Sequence, residues 1–152
     1  MQLKIGDKAP DFMLLDQDGE SRSLKDCQGQ RLLLYFYPKD NTSGCIKEAC
    51  ALRDDFWGFK KLNVKIIGVS VDSVESHKKF AADYNLPFTL LSDEDKKAVK
   101  LYGVWAEKSM YGKKYMGTLR TSFLINPQGV IEKIYEKVVP AEHSKEVLND
   151  LK

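Results

Sequence analysis

The sequence predicts an α/β fold in which a central mixed β-sheet is flanked by helices and preceded by an N-terminal β-hairpin. Continuous apolar runs of strand length stand at Leu32-Leu33-Leu34-Tyr35-Phe36-Tyr37 and from Val64 to Val71, as expected for strands covered on both faces. Between them apolar residues recur every three or four positions, the spacing of an amphipathic helix. Segments of strand character split by strong turn signals lie towards both ends of the chain. Strands alternating with helices in the middle and hairpins at the ends imply a sheet of mixed direction with helices on both faces.

Each element follows in order. Phe12 to Leu24 is broken by Asp18-Gly19, which predicts two short strands in a hairpin. The first core strand ends at Pro38, which has no N–H to give to a sheet. From Gly44 to about Lys60, the apolar residues Ile46, Ala49, Leu52, Phe56 and Phe59 predict one amphipathic helix. Val64 to Val71 is the second buried strand. Asp72 or Ser73 then caps a helix running to about Tyr84, closed by Leu86-Pro87. Phe88 to Leu91 reads as a third core strand, and Ser92 with Asp95 resembles a capping box for a short helix ending near Tyr102-Gly103. Tyr102 to Arg120, rich in glycine, methionine and aromatics, is expected to be a long loop. Thr121 to Ile125 and Val130 to Tyr135 flank Asn126-Pro127-Gln128-Gly129 as a hairpin, and a last helix covers Ala141 to Leu151.

The 152 residues fit one domain spanning 1–152. Hydrophobic residues make up 43% and charged residues 30%, with a net charge of +2 spread along the chain, a balance that fits a soluble globular protein. No long basic run occurs and aromatics do not interleave with the cations, which argues against nucleic-acid binding. Met1-Gln2-Leu3-Lys4-Ile5-Gly6-Asp7 lacks the features of a signal peptide, and no apolar run approaches membrane-spanning length, so a cytoplasmic protein without membrane association is expected. Three cysteines, Cys27, Cys45 and Cys50, are too few for a disulfide scaffold, and in a reducing compartment they are thiols at rest.

The chemistry concentrates at Cys45. Strand, proline turn and helix place it at the carboxyl end of a core strand, where open α/β sheets hold their active sites. In the first turn of a helix, unpaired backbone N–H groups and the positive end of the helix dipole favour thiolate over thiol. Thr42, one turn earlier, offers a hydroxyl that can accept from the thiol or orient a bound oxygen; a plain helix cap is the alternative. Cys50 permits a geometric test. Residues five apart in an intact helix have Cα atoms about 8.7 Å apart, whereas a disulfide spans at most about 6.8 Å. A Cys45–Cys50 bridge therefore needs the first turns to unwind, at about 1 kcal/mol for each hydrogen bond lost. Closing a ring of about six residues returns only about 2 kcal/mol, so the pair is a poor static staple and makes better sense as a redox couple. Two core cysteines that happen to share a helix are the bland alternative.

The segment Tyr35-Phe36-Tyr37-Pro38-Lys39-Asp40-Asn41-Thr42-Ser43-Gly44-Cys45 resembles the active-site stretch of peroxiredoxins, with its PxxxTxxC signature, and within them the bacterioferritin comigratory protein, or peroxiredoxin Q, group. Further similar stretches are Gly6-Asp7-Lys8-Ala9-Pro10-Asp11-Phe12, Gly68-Val69-Ser70-Val71-Asp72-Ser73, Leu86-Pro87-Phe88, Tyr102-Gly103-Val104-Trp105 and Arg120-Thr121-Ser122-Phe123-Leu124-Ile125. The resemblance implies a thioredoxin-like fold, Cys45 as peroxidatic cysteine and Cys50 as resolving cysteine. It implies attack of the thiolate on a peroxide to give a sulfenic acid, then a Cys45–Cys50 disulfide reduced by thioredoxin or a glutaredoxin-type donor. Thr42, Gly44, Cys45 and Arg120 would bind the substrate, with Thr42 orienting the peroxide and the Cys45 N–H donating to it. Arg120 would stabilise thiolate and transition state, and Pro38 would shield the site. No cofactor or metal is implied. The expected assembly is a monomer, with a weak dimer as the alternative.

On its own terms Arg120 is an ordinary strand-end arginine; only the resemblance gives it a role. Glu48 belongs to the local Glu48-Ala49-Cys50 motif, yet an exposed carboxylate paired with a nearby lysine reads equally well. Ser43 and Ile46 depart from the proline and threonine usual in the group. Cys27 lies outside the motif and reads as a bystander, with an auxiliary role as the alternative. Trp105, Met110, Tyr111, Tyr115 and Met116 are equally a collar for organic hydroperoxides or packing of a long loop. Three other functions compete. A general thiol-disulfide oxidoreductase would carry CxxC in place of this CxxxxC. A metal or structural protein would recruit Cys27, Cys45, Cys50, His77 and His143, which lack zinc-site spacing. A peroxide-sensing relay or binding protein would share the first chemical step.

Overall fold

The computed structural model describes residues 2–152. Strands β1 (Met13–Asp16), β2 (Ser21–Ser23), β3 (Arg31–Phe36), β4 (Val64–Ser70), β5 (Thr89–Ser92), β8 (Thr121–Ile125) and β9 (Ile131–Tyr135) form one mixed sheet in the order β2-β1-β5-β4-β3-β8-β9. β3, β4 and β5 are parallel, whereas β1 runs antiparallel to β5 and β8 antiparallel to β3. The helices are α1 (Ser43–Asp54), α2 (Phe56–Lys61), α3 (Val74–Tyr84), α4 (Lys97–Leu101) and α5 (His143–Leu151). No helix among the described residues is long and apolar enough to cross a membrane.

The apolar run of β3 explains the two layers. Leu32, Leu34 and Phe36 join a core with Val99, Tyr102 and Phe123, while Leu33, Tyr35 and Tyr37 join another with Leu52, Phe59, Phe80 and Val147. Successive side chains of a strand point to opposite faces, so α4 covers one face and α1, α2, α3 and α5 the other. Each fully buried leucine or phenylalanine contributes about 1.5–3 kcal/mol of transfer free energy. Ser73 caps α3, its hydroxyl accepting from the Ser76 N–H at 3.1 Å.

The structure corrects three sequence expectations. The helix predicted from Gly44 to Lys60 breaks at Asp55, between α1 and α2. The Asp55 carboxylate accepts from the Ser144 hydroxyl at 2.6 Å and the Lys145 ammonium at 2.8 Å, so the break is tied to α5. The capping box at Ser92 and Asp95 does not form. Ser92 donates to the Asp72 carbonyl, and Asp93 instead accepts from the Ala98 and Val99 N–H groups at the start of α4. The expected long loop is a second sheet, the hairpin β6 (Trp105–Met110) and β7 (Lys113–Thr118), turning at Tyr111-Gly112 with φ of 52° and 79°. Positive φ at both central residues is the geometry of a tight hairpin turn.

Candidate active site

The antiparallel pairing of β3 with β8 sets Thr121 opposite Phe36. The turn after β3 and Arg120, just before β8, therefore meet at one end of the sheet despite their separation in sequence. Pro38 is half-buried in that turn, and Asn41 takes a left-handed φ of 61°. Thr42 is the residue before α1, with extended backbone, but its hydroxyl donates to the Lys39 carbonyl at 2.7 Å and caps nothing. The first helical donor is the Ile46 N–H, which reaches the Thr42 carbonyl at 2.9 Å. The amides of Ser43, Gly44 and Cys45 thus belong to the unspent first turn. Cys45 is 1% exposed.

Arg120 forks over this helix start. Its Nη2 donates to Cys45 Sγ at 3.5 Å and its Nη1 to Glu48 Oε1 at 2.8 Å. Gly44 makes room, since a Cβ there would stand 3.0 Å from Arg120 Nη2 and 3.5 Å from Pro140 Cγ. Glu48 is buried one turn beyond Cys45, so the exposed, lysine-paired alternative is wrong. Burial pushes its carboxyl up to about 7, with the charge and hydrogen bond of Arg120 pulling the other way. Its Oε2 has no hydrogen-bond partner among the described residues. Burial lowers the Arg120 pKa, but the neighbouring Cys45 and Glu48 more than offset it, and the guanidinium is held above its ordinary range.

Residues 5–134 match the model of the AhpC/TSA family. The chain is 50% identical over 150 residues to peroxiredoxin Bcp of Escherichia coli, covering 99% of this chain and 96% of that one. The chain belongs to the AhpC/TSA family, among the Bcp peroxiredoxins. Among solved structures, PrxQ of Xylella fastidiosa superposes with a TM-score of 0.93 at 36% identity, covering 99% of this chain and 96% of that one. The bacterioferritin comigratory protein of Xanthomonas campestris, whose alkyl peroxide reduction activity is seen in trapped intermediate and ligand complexes, gives 0.87 at 38% identity, covering 92% and 89%. The sheet flanked by helices is therefore thioredoxin-like, and the activity of the family is that of a thiol-dependent peroxidase.

In this peroxiredoxin the three cysteines are free thiols. Cys45 and Cys50 lie in the same unbroken helix, α1, at a helical separation of about 8.7 Å between Cα atoms. Cys27 lies before β3, packed with Leu24, Leu32 and Ile125 on the other face of the sheet. Burial pushes its thiol up, with Lys65 pulling against it.

The β6–β7 hairpin brings a residue that sequence reasoning missed. The stem of Lys108 crosses β7 at Gly117, where a Cβ would lie 2.9 Å from Lys108 Cδ. Burial and the charge of Arg120 lower its pKa while Cys45 raises it, so the ammonium feels the active site. The pairing of Lys108 with Tyr115 and of Met110 with Lys113 puts Met110 and Tyr115 on the face of Lys108. Trp105 and Met116 lie on the opposite face, and Tyr111 stands at the exposed tip, so the five proposed collar residues are divided. Among the described residues the one cluster with metal-like spacing is Asp40, Asp72 and His77, with ligand atoms within 4.8 Å of one another. It contains no cysteine, unlike the set weighed from sequence.

Proposed function

We propose that this peroxiredoxin reduces hydrogen peroxide and organic hydroperoxides through Cys45, with Cys50 as resolving cysteine and thioredoxin or a similar dithiol as reductant. One observation carries the reading: the Arg120 fork joins Cys45 Sγ and Glu48 at an open helix start. Displacement at an O–O bond needs a thiolate, in-line oxygens and donors for the charge on the leaving oxygen. The Cys45 thiolate attacks the terminal oxygen, the S–O bond forms as the O–O bond breaks, and the leaving oxygen takes a proton to become water or an alcohol. Thr42 spends its proton on Lys39, so its oxygen remains free to accept from the peroxide. The amides of Gly44 and Cys45 and the guanidinium of Arg120 donate to the reacting oxygens, and Pro38 limits the entry of water.

The Cys45 sulfenic acid then condenses with the Cys50 thiol, releasing water and forming a disulfide. This step needs the first turns of α1 to unwind, since an intact helix keeps the two sulfurs apart. A dithiol donor returns both thiols, so the cycle requires no cofactor and suits a reducing compartment such as the cytoplasm. The alkyl peroxide reduction described for the Xanthomonas campestris protein and the exposed Met110 and Tyr115 beside Lys108 support organic hydroperoxides as substrates. A monomer suffices, because every group invoked comes from one chain.

The test couples NADPH, thioredoxin reductase and thioredoxin to peroxide consumption. Wild type and Cys27→Ser turn over, Cys45→Ser does not, and Cys50→Ser stalls as the sulfenic acid. Substantial turnover by Cys45→Ser overturns the assignment, and a disulfide mapped to Cys27 replaces Cys50.

A further inference from the structure

Beneath the turn that precedes Cys45 lies a buried polar cluster that the peroxidase chemistry does not use. Asp40 is the turn residue at its centre, 5% exposed, and His77 of α3 is 0% exposed. The Asp40 Oδ1 accepts from the Tyr37 hydroxyl at 2.7 Å, and its Oδ2 accepts from the Ser76 hydroxyl at 2.7 Å and faces His77 Nδ1 at 2.7 Å. His77 Nε2 stands 2.9 Å from the Leu91 carbonyl. A carbonyl only accepts, so Nε2 carries its hydrogen there, and Nδ1 is turned to the Asp40 carboxylate. The Asp40 N–H donates to Asp72 Oδ2 at 2.8 Å, which also accepts from the Ser70 hydroxyl at 2.6 Å. One turn residue is thus fastened to the ends of β3 and β4 and to α3, with β5 behind.

Burying such a set yields little net stability compared with apolar residues of similar volume, so its use here points to geometry. We propose that Asp40 and His77 are positioning residues for the attack on peroxide, a proposal that rests on the Cys45–Cys50 cycle above. They fix residues 38–42, and with them the Thr42 hydroxyl and the open amides of α1. They also hold that side still while the residues beyond Cys45 unwind towards Cys50. The site therefore has a fixed flank and a mobile flank, divided at Cys45. Misplacing a reacting group by about 1 Å costs up to about 100-fold in rate. The expected signature is a slower oxidation step with an unchanged condensation step.

Rapid-quench mass mapping of the Cys45 sulfenic acid and of the disulfide separates the two steps. In His77→Gln and Asp40→Asn the second-order oxidation constant with hydrogen peroxide is expected to fall about 10-fold or more. The rate of disulfide formation from the sulfenic acid stays within about twofold. Oxidation at the wild-type rate, or equal slowing of both steps, overturns the proposal. Hydrogen exchange on the unsubstituted protein tests it without a variant. On oxidation to the disulfide, protection is lost between Cys45 and Cys50 but kept at Asp40 and His77; loss at Asp40 overturns it. If the unsubstituted protein forms no Cys45 sulfenic acid, the functional reading falls as well. A normal wild-type cycle with unchanged variants removes only the positioning role.

Discussion

Cys27 and Cys45 flank the same core strand and are almost equally buried, at 5% and 1% exposure. Cys27 sits before β3 among Leu24, Leu32 and Ile125, and burial pushes its thiol up. Cys45 sits after β3, at a helix start whose amides are unspent, with a guanidinium nitrogen 3.5 Å from its sulfur. Burial by itself disfavours the thiolate. Burial that also encloses a fixed cation and free backbone donors supplies a low-dielectric site in which those donors act strongly on a developing charge.

The largest expected contrast comes from the two serine substitutions. Cys45→Ser removes peroxide turnover by at least about 1,000-fold, because a serine hydroxyl does not replace the thiolate nucleophile; Cys27→Ser stays within about twofold in the coupled assay. Arg120→Lys probes what makes the two thiols differ. A lysine keeps the charge but cannot serve Cys45 and Glu48 together, so the oxidation rate constant should fall about 100-fold in stopped-flow measurements. A rate within threefold of wild type would show that charge alone separates Cys45 from Cys27.

Glu48→Gln tests the partner of that fork through pH. The carboxyl titrates at 4.5 ordinarily and at about 7 in the fold. Between those values the unfolded chain has released the proton and the folded chain keeps it, so the folded state binds more protons and stability falls as pH rises. Denaturant unfolding from pH 4.5 to 7 should show Glu48→Gln gaining up to about 3 kcal/mol relative to wild type. A constant difference across that range would mean that Arg120 keeps Glu48 ionised throughout. The smallest effect concerns access. In the native protein Cys27 should react with iodoacetamide at least about 10-fold more slowly than in the unfolded chain, as read by mass mapping. Equal rates would show that its burial does not protect it.

Much of this was legible in residue order. The apolar runs gave β3 and β4, the spacing of Ile46, Ala49 and Leu52 gave α1, and Pro38, Thr42 and Cys45 marked one end of the sheet as the candidate site. The β6–β7 hairpin was missed because most of its side chains are exposed, so no apolar alternation announces it; the signal that was present is the Tyr111-Gly112 turn. The break at Asp55 was hidden because Phe56 and Phe59 keep helical spacing across it, and only the contacts with Ser144 and Lys145 reveal it. Neither Glu48 nor His77 looks buried in sequence. A carboxylate on a helix ordinarily faces water, and its burial depends on a partner 72 residues away in Arg120.

The sequence by itself determined the layered α/β fold, the place of Cys45 at a helix start beyond a core strand, and a spacing of Cys45 and Cys50 too long for a disulfide within an intact helix. These depend on local periodicity and on fixed helix geometry. Only the tertiary structure decided that Arg120 reaches both Cys45 and Glu48, that Cys27 is buried among apolar residues on the other face of the sheet, and that the turn residue Asp40 is fastened from below by His77. Those contacts depend on the antiparallel pairing of β8 with β3 and on the packing of α3 below them, and desolvation then sets how strongly each charge acts.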